Sequence, residues 1–175
     1  MSSPPTAQPV RLRFQIVLAG LIYLVDAFVL TMGLLAILTG IAGILLGMIG
    51  LVRGIFGDRS RIMPALATMG IYIGCGGAVM ATLRLHNAVA RHRAEGVITA
   101  LHAYEAKYGT CPNDIQVLVP EFVAAIPHAK YTLLFNRFEF RKMPQSDDCS
   151  LAYTLLPPFG RAYYDVKKKS WSSLD

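Results

Sequence analysis

Charge is what this 175-residue sequence has least of. Asp, Glu, Lys and Arg make up 16% of it, against roughly 25% in an average soluble domain. With 54% hydrophobic residues, the shortage excludes an ordinary soluble protein. It equally excludes disorder, which needs low hydrophobicity and high charge. Also missing are the local patterns that carry chemistry: there is no HExxH, no i,i+4 histidine pair, no phosphate-cradling glycine loop and no local signature pairing a cysteine with a histidine. Those gaps argue against an enzyme and against a resident cofactor or metal. The net charge of +6 is too small and too scattered for a nucleic-acid footprint, which needs a clustered basic face.

What is present is divided unevenly. Between residues 14 and 85 the only charges are Asp26, Arg53, Asp58, Arg59, Arg61 and Arg84, whereas residues 86–175 carry 11 basic and 9 acidic side chains. The chain therefore reads as a short tail (1–13), a membrane region (14–85) and a water-soluble domain (86–175). A spanning helix needs about 20 mainly apolar residues. Residues 14–57 supply two, expected at 14–36 and 40–57 with a tight turn near Thr39-Gly40. A third is expected at 63–85, with Pro64 in its first turn. The first span is too long for a signal-peptide core and is followed by more membrane, so it is expected to stay uncleaved. Arginines 11, 13, 53, 59 and 61 place the tail and the loop near residue 58 on the cytoplasmic side by the positive-inside rule. The soluble domain then falls on the opposite side, although Arg84, Arg91 and Arg93 pull the other way. Those arginines, with His86 and His92, are expected just above the membrane at lipid headgroups.

Glycines at 40, 43, 47, 50, 54 and 57 line one helical face, and Gly70, Gly74 and Gly77 with Ala67 and Ala81 line another. Small residues let helix backbones approach closely in lipid. The seam is open to two readings, a close-packed hairpin within the chain or a contact between chains, a homo-oligomer included. Asp26 lies near the middle of the first span, where an ionisable side chain is costly and points to function by default. Tyr72, Thr68 or an arginine of a partner protein are its candidate partners; carrying a proton is the alternative role.

The third span has no stop signal. Ala94, Val97, Leu101, Tyr104 and Tyr108 recur at helical spacing, so one long helix is expected to run on to Gly109, a glycine in the C-terminal capping position, with Gly96 a candidate hinge. Asp114 can cap a short helix to Leu118, and Pro120 opens another at 121–125. Alternating runs at 131–141, 151–156 and 161–168, separated by turn residues, read as a three-stranded antiparallel sheet that the helix at 94–108 covers. Lys167, Lys168 and Lys169 read either as charges that block strand pairing at an edge or as a docking patch for an acidic partner or anionic lipid. Cys75 lies in a span. Cys111 and Cys149 share the soluble half, and an oxidising compartment would permit a bridge between them; two free buried thiols are the other reading.

The run Ala103-Tyr104-Glu105-Ala106-Lys107-Tyr108-Gly109-Thr110-Cys111-Pro112, then Leu118-Val119-Pro120-Glu121-Phe122 and Ile126-Pro127, resembles the type IV pilin and type II secretion pseudopilin family over residues 63–166. The resemblance implies a long helix that crosses the bacterial inner membrane and packs on a small antiparallel sheet in the periplasm. Two departures are plain. No prepilin leader precedes the helix, and Asp147-Asp148 alone does not replace the calcium loop of the major pseudopilins. The expectation is a non-enzymatic accessory or assembly subunit of a secretion or pilus-like membrane complex, in contact with other subunits and the bilayer. The alternative is a small accessory subunit of a respiratory or transport complex.

Overall fold

The computed structural model describes residues 7–143, 148–156 and 160–174. The chain forms two compact units, Met1–Leu83 and Arg84–Asp175. Three helical stretches are long and apolar enough to cross a membrane: Leu12–Leu30, Leu34–Phe56 and Arg59–Tyr108.

In the first unit, α1 (Ala7–Leu24) runs into one π-helical segment, Val25–Leu30. Helix α2 occupies Leu34–Phe56. The reversal between them is at Thr31–Gly33, not at Thr39-Gly40 as the sequence suggested. Thr31 and Gly33 both take left-handed conformations, at φ 54° and 68°. Thr39 lies inside α2, its hydroxyl donating back to Leu35 O at 2.6 Å. The first span therefore ends at Leu30, short of the expected 36, and the second begins at Leu34, ahead of the expected 40. After α2, the Asp58 carboxylate accepts from Ser60 N at 3.0 Å and starts a 3-10 turn, Arg59–Arg61. Hydrogen bonds from Ser60, and then the charge of Arg61, hold the exposed Asp58 carboxyl below its usual range.

Helix α3 runs unbroken from Ile62 to Tyr108, 47 residues. Gly96 lies inside it and makes no hinge. It ends as expected at Gly109 (φ 74°), whose N–H reaches Glu105 O at 2.8 Å. In the second unit, Ala94, Val97 and Leu101 of this helix are buried, together with Ile98 and Ala100. They form the core with Ile115, Leu118, Leu151, Tyr164 and Val166. Tyr104 packs at the margin of this core, while Tyr108 is half exposed.

The sheet is a four-stranded antiparallel meander in the order β1-β2-β3-β4. Its strands are β1 (Glu139–Lys142), β2 (Cys149–Thr154), β3 (Arg161–Asp165) and β4 (Ser170–Leu174). Three expectations need correction. First, the sheet has one strand more than the three read from the alternating runs; Trp171 on β4 packs against Tyr153 and Tyr164. Second, residues 131–138 are not strand. They make a loop closed by Ala129 N donating to Asn136 O at 2.6 Å. Third, 121–125 is a turn, not a helix. Phe122 N and Val123 N share the Leu118 carbonyl, and five residues between two prolines are too few to offset helix nucleation. Phe122 instead lies against Tyr104 and Tyr108. The 3-10 turn Ile115–Leu118 is capped by Asp114 through Gln116 N at 2.9 Å, as its sequence predicts.

Candidate functional site

Asp26 is fully buried in the first unit. Its carboxylate accepts from Gly33 N at 2.9 Å and from Ala36 N at 2.8 Å, and its backbone carbonyl accepts from Thr31 N at 2.7 Å. Two of the backbone donors that a helix leaves unsatisfied at its N-terminus are thus met by a side chain from the preceding helix. The helix dipole favours negative charge at that end. The partners suggested by the sequence, Tyr72 and Thr68, are engaged elsewhere. Tyr72 lies against Gly43; the Thr68 hydroxyl donates to Gln15 Oε1 at 3.1 Å and Pro64 O at 2.9 Å. Two further polar contacts join α1 to α3: Tyr23 Oη with Thr82 Oγ1 at 3.0 Å, and Cys75 Sγ with Ala19 O at 3.3 Å.

The glycine seam of α2 faces α3 of the same chain. A methyl group added at Gly43 would meet Tyr72 at 2.5 Å, at Gly47 Met69 at 2.1 Å, at Gly50 Ala65 at 2.9 Å and at Gly54 Ile62 at 2.6 Å. That resolves the two readings for these four glycines: they pack within the chain. Gly70, Gly74 and Gly77 on α3 do not join them, and nothing lies within 4 Å of where their side chains would be.

In the second unit, Cys111 and Cys149 form a disulfide that links the segment after α3 to the first residue of β2. Cys75 is the free thiol. The three lysines form the β3–β4 turn and guard no edge. Lys169 takes a left-handed conformation at φ 51°, Lys167 Nζ pairs with Asp148 at 2.9 Å and Lys168 Nζ with Asp165 at 3.5 Å. His86 is buried, so it does not reach headgroups. His92 is exposed and lies 3.6 Å from Glu95. His102 Nε2 meets the Tyr164 hydroxyl at 3.2 Å. Arg91 stacks over Trp171 and Arg93 over Tyr131, at 3.9 and 4.0 Å. Among the described residues, no three His, Cys, Asp or Glu side chains group closely enough to hold a metal ion.

Lys130 went unnoticed in the sequence, where a lone lysine reads as solvated surface. It is 2% exposed, and its ammonium donates to Leu155 O at 3.2 Å. Burial pushes its pKa down to about 8. The sign follows from linkage. The folded state loses this proton before the unfolded state does, so stability is expected to rise as pH climbs from about 8 toward 10.5. Lys130→Met removes the buried charge. At neutral pH it is expected to stabilise the soluble unit by about 2 kcal/mol, a figure discounted for partial solvent screening. Urea unfolding followed by Trp171 fluorescence at pH 7 and pH 10 checks both statements. A midpoint independent of pH in the parent protein would contradict them.

Comparison of the chain with family models, curated proteins and solved structures finds no match.

Proposed function

We propose that the chain is a non-enzymatic, multi-pass membrane protein whose soluble unit is a pilin-like domain, and that it serves as an accessory or assembly subunit of a secretion or pilus-like complex. The observation that carries this reading is α3. One helix continues without a break from an apolar stretch into a helix-on-sheet core. It ends at the Tyr108-Gly109 segment that resembles the end of the pilin helix. The reading places the protein in the bacterial inner membrane, with the tail and the Arg59–Arg61 turn cytoplasmic and the soluble unit periplasmic. The arginines at 53, 59 and 61 support that orientation, and so does the Cys111–Cys149 disulfide, which persists on the oxidising side.

Purification of the full chain from its native membrane in mild detergent, with mass spectrometry of co-purifying proteins, tests the reading. Secretion or pilus assembly components are the expected result. Recovery of a cytochrome or transporter in their place would replace it with an accessory role in a respiratory or transport complex.

A further inference from the structure

The soluble unit exposes an apolar tip that its own core does not use. Ala129 N bonds Asn136 O and closes the loop between them. Inside it, the Thr132 hydroxyl donates to Leu134 O at 2.7 Å and Asn136 Nδ2 to Thr132 O at 3.0 Å. Phe135 stands at φ 55°, a conformation a bulky residue seldom takes; the hydrogen bonds at the base of the loop hold it there. Inside and outside are reversed relative to an ordinary surface loop. Lys130 and Thr132 are buried, while Leu133 is 73% and Tyr131 65% exposed, and Leu134 and Phe135 also face outward. A contiguous apolar tip of this kind marks an interaction site.

Its position on α3 says what covers it. Arg93 Nη1 donates to His128 O at 2.8 Å, and its guanidinium lies over Tyr131. Ala129, next to Lys130, shares a buried cluster with Ala90 of α3. Lys130 also bonds Leu155, whose neighbour Leu156 is another exposed apolar residue. The loop therefore lies beside residues 86–93 of α3, the turns that directly follow its uncharged stretch 62–83. Leu85, at the start of those turns, is exposed as well. If α3 crosses a bilayer, this is where it emerges. The charge agrees: residues 84–93 and 128–138 contain Arg84, Arg91, Arg93, Lys130 and Arg137 and no carboxylate.

We infer that the Tyr131–Phe135 loop dips into the surface of an anionic phospholipid bilayer beside α3. Leu133, Leu134 and Phe135 enter the boundary between headgroups and acyl chains. Tyr131 sits at headgroup level, as interfacial aromatics do, and the exposed Arg84 and Arg137 meet lipid phosphates. A protein partner is the competing occupant; the carboxylate-free run of Arg84, Arg91, Arg93, Lys130 and Arg137 beside the end of the uncharged stretch of α3 favours an anionic bilayer.

The test uses the full chain with Cys75→Ala and an intact disulfide, labelled with an environment-sensitive fluorophore at Leu133→Cys or at Ala106→Cys. Ala106 is exposed and stands about 33 Å further along α3 than Arg84, at 1.5 Å per residue. The protein is reconstituted into phosphatidylcholine–phosphatidylglycerol vesicles. Co-flotation with the vesicles reports anchoring separately, and its loss would overturn the anchor on which the inference rests. The expected result is several-fold stronger quenching of the Leu133 label than of the Ala106 label by a nitroxide on the upper acyl chain, with the reverse order for aqueous iodide. Equal iodide quenching at the two positions overturns the proposal. Shielding from both quenchers also overturns it, because protein would then cover the loop. Quenching unchanged in phosphatidylcholine alone overturns the assignment to anionic lipid. Leu134→Cys serves as the second variant, with Trp171 fluorescence reporting that each variant is folded.

Discussion

Asp26→Ala is expected to lower the stability of the first unit by about 2–4 kcal/mol, the cost of leaving two buried N–H groups without their side-chain acceptor. The donors are fixed, because Gly33 N caps α2 and Ala36 N lies in its first turn. Asp26→Asn keeps one of the two oxygen acceptors that Gly33 N and Ala36 N use, so it should fall between the parent and alanine. That ranking separates a capping carboxylate from a proton carrier. A carrier would fail equally with asparagine and alanine, and its loss would leave stability unchanged. Titration with SDS in mixed micelles, followed by helical circular dichroism, measures the order. An unmoved midpoint for Asp26→Ala would rule out the capping role.

The second large effect concerns the soluble unit. Opening the Cys111–Cys149 bridge by the paired substitutions Cys111→Ala and Cys149→Ala should cost about 4 kcal/mol, the chain-entropy figure for two residues 38 apart in sequence. That is a large share of the roughly 5–15 kcal/mol that holds a typical domain together. Both half-cystines are buried in the core beside Leu118 and Leu151, and alanine there leaves a small void without adding a polar group. Urea unfolding read by Trp171, the chain's single tryptophan, isolates this unit. Equal midpoints for the parent and the double variant would contradict the expectation.

The sequence made most of the helical architecture legible, and the reason is physical. Long apolar runs and the Ala94-Val97-Leu101 stripe are signals summed over many residues, and Gly109 and Asp114 are end markers whose chemistry is local. The misplaced elements had competing local signals. Thr39-Gly40 resembles a turn, but the real reversal is capped by a carboxylate seven and ten residues upstream of its two donors, which no periodicity detects. The alternation over 131–138 mimicked a strand, while Thr132 and Asn136 turned their side chains onto the backbone. Strand β4 was hidden because Ser170-Trp171-Ser172-Ser173 has weak strand propensity apart from its tryptophan. The lysines before it read as an edge rather than as the turn that produces it. Of the site residues, the glycine face and the cysteine pair were visible in the sequence. Asp26 was visible as an anomaly but not as a cap, and Lys130 was not visible at all, because burial is a tertiary property.

The three-residue reversal between α1 and α2 also bears on how a protein with the proposed spans would enter a bilayer. Lipid tolerates a backbone only when its polar groups are satisfied before entry. The Asp26 side chain does that for Gly33 and Ala36 from within, and only Thr31, Met32 and Gly33 separate the two helices. On the proposed membrane reading, the pair is therefore expected to insert as one hairpin, with no long connector to translocate between its two arms.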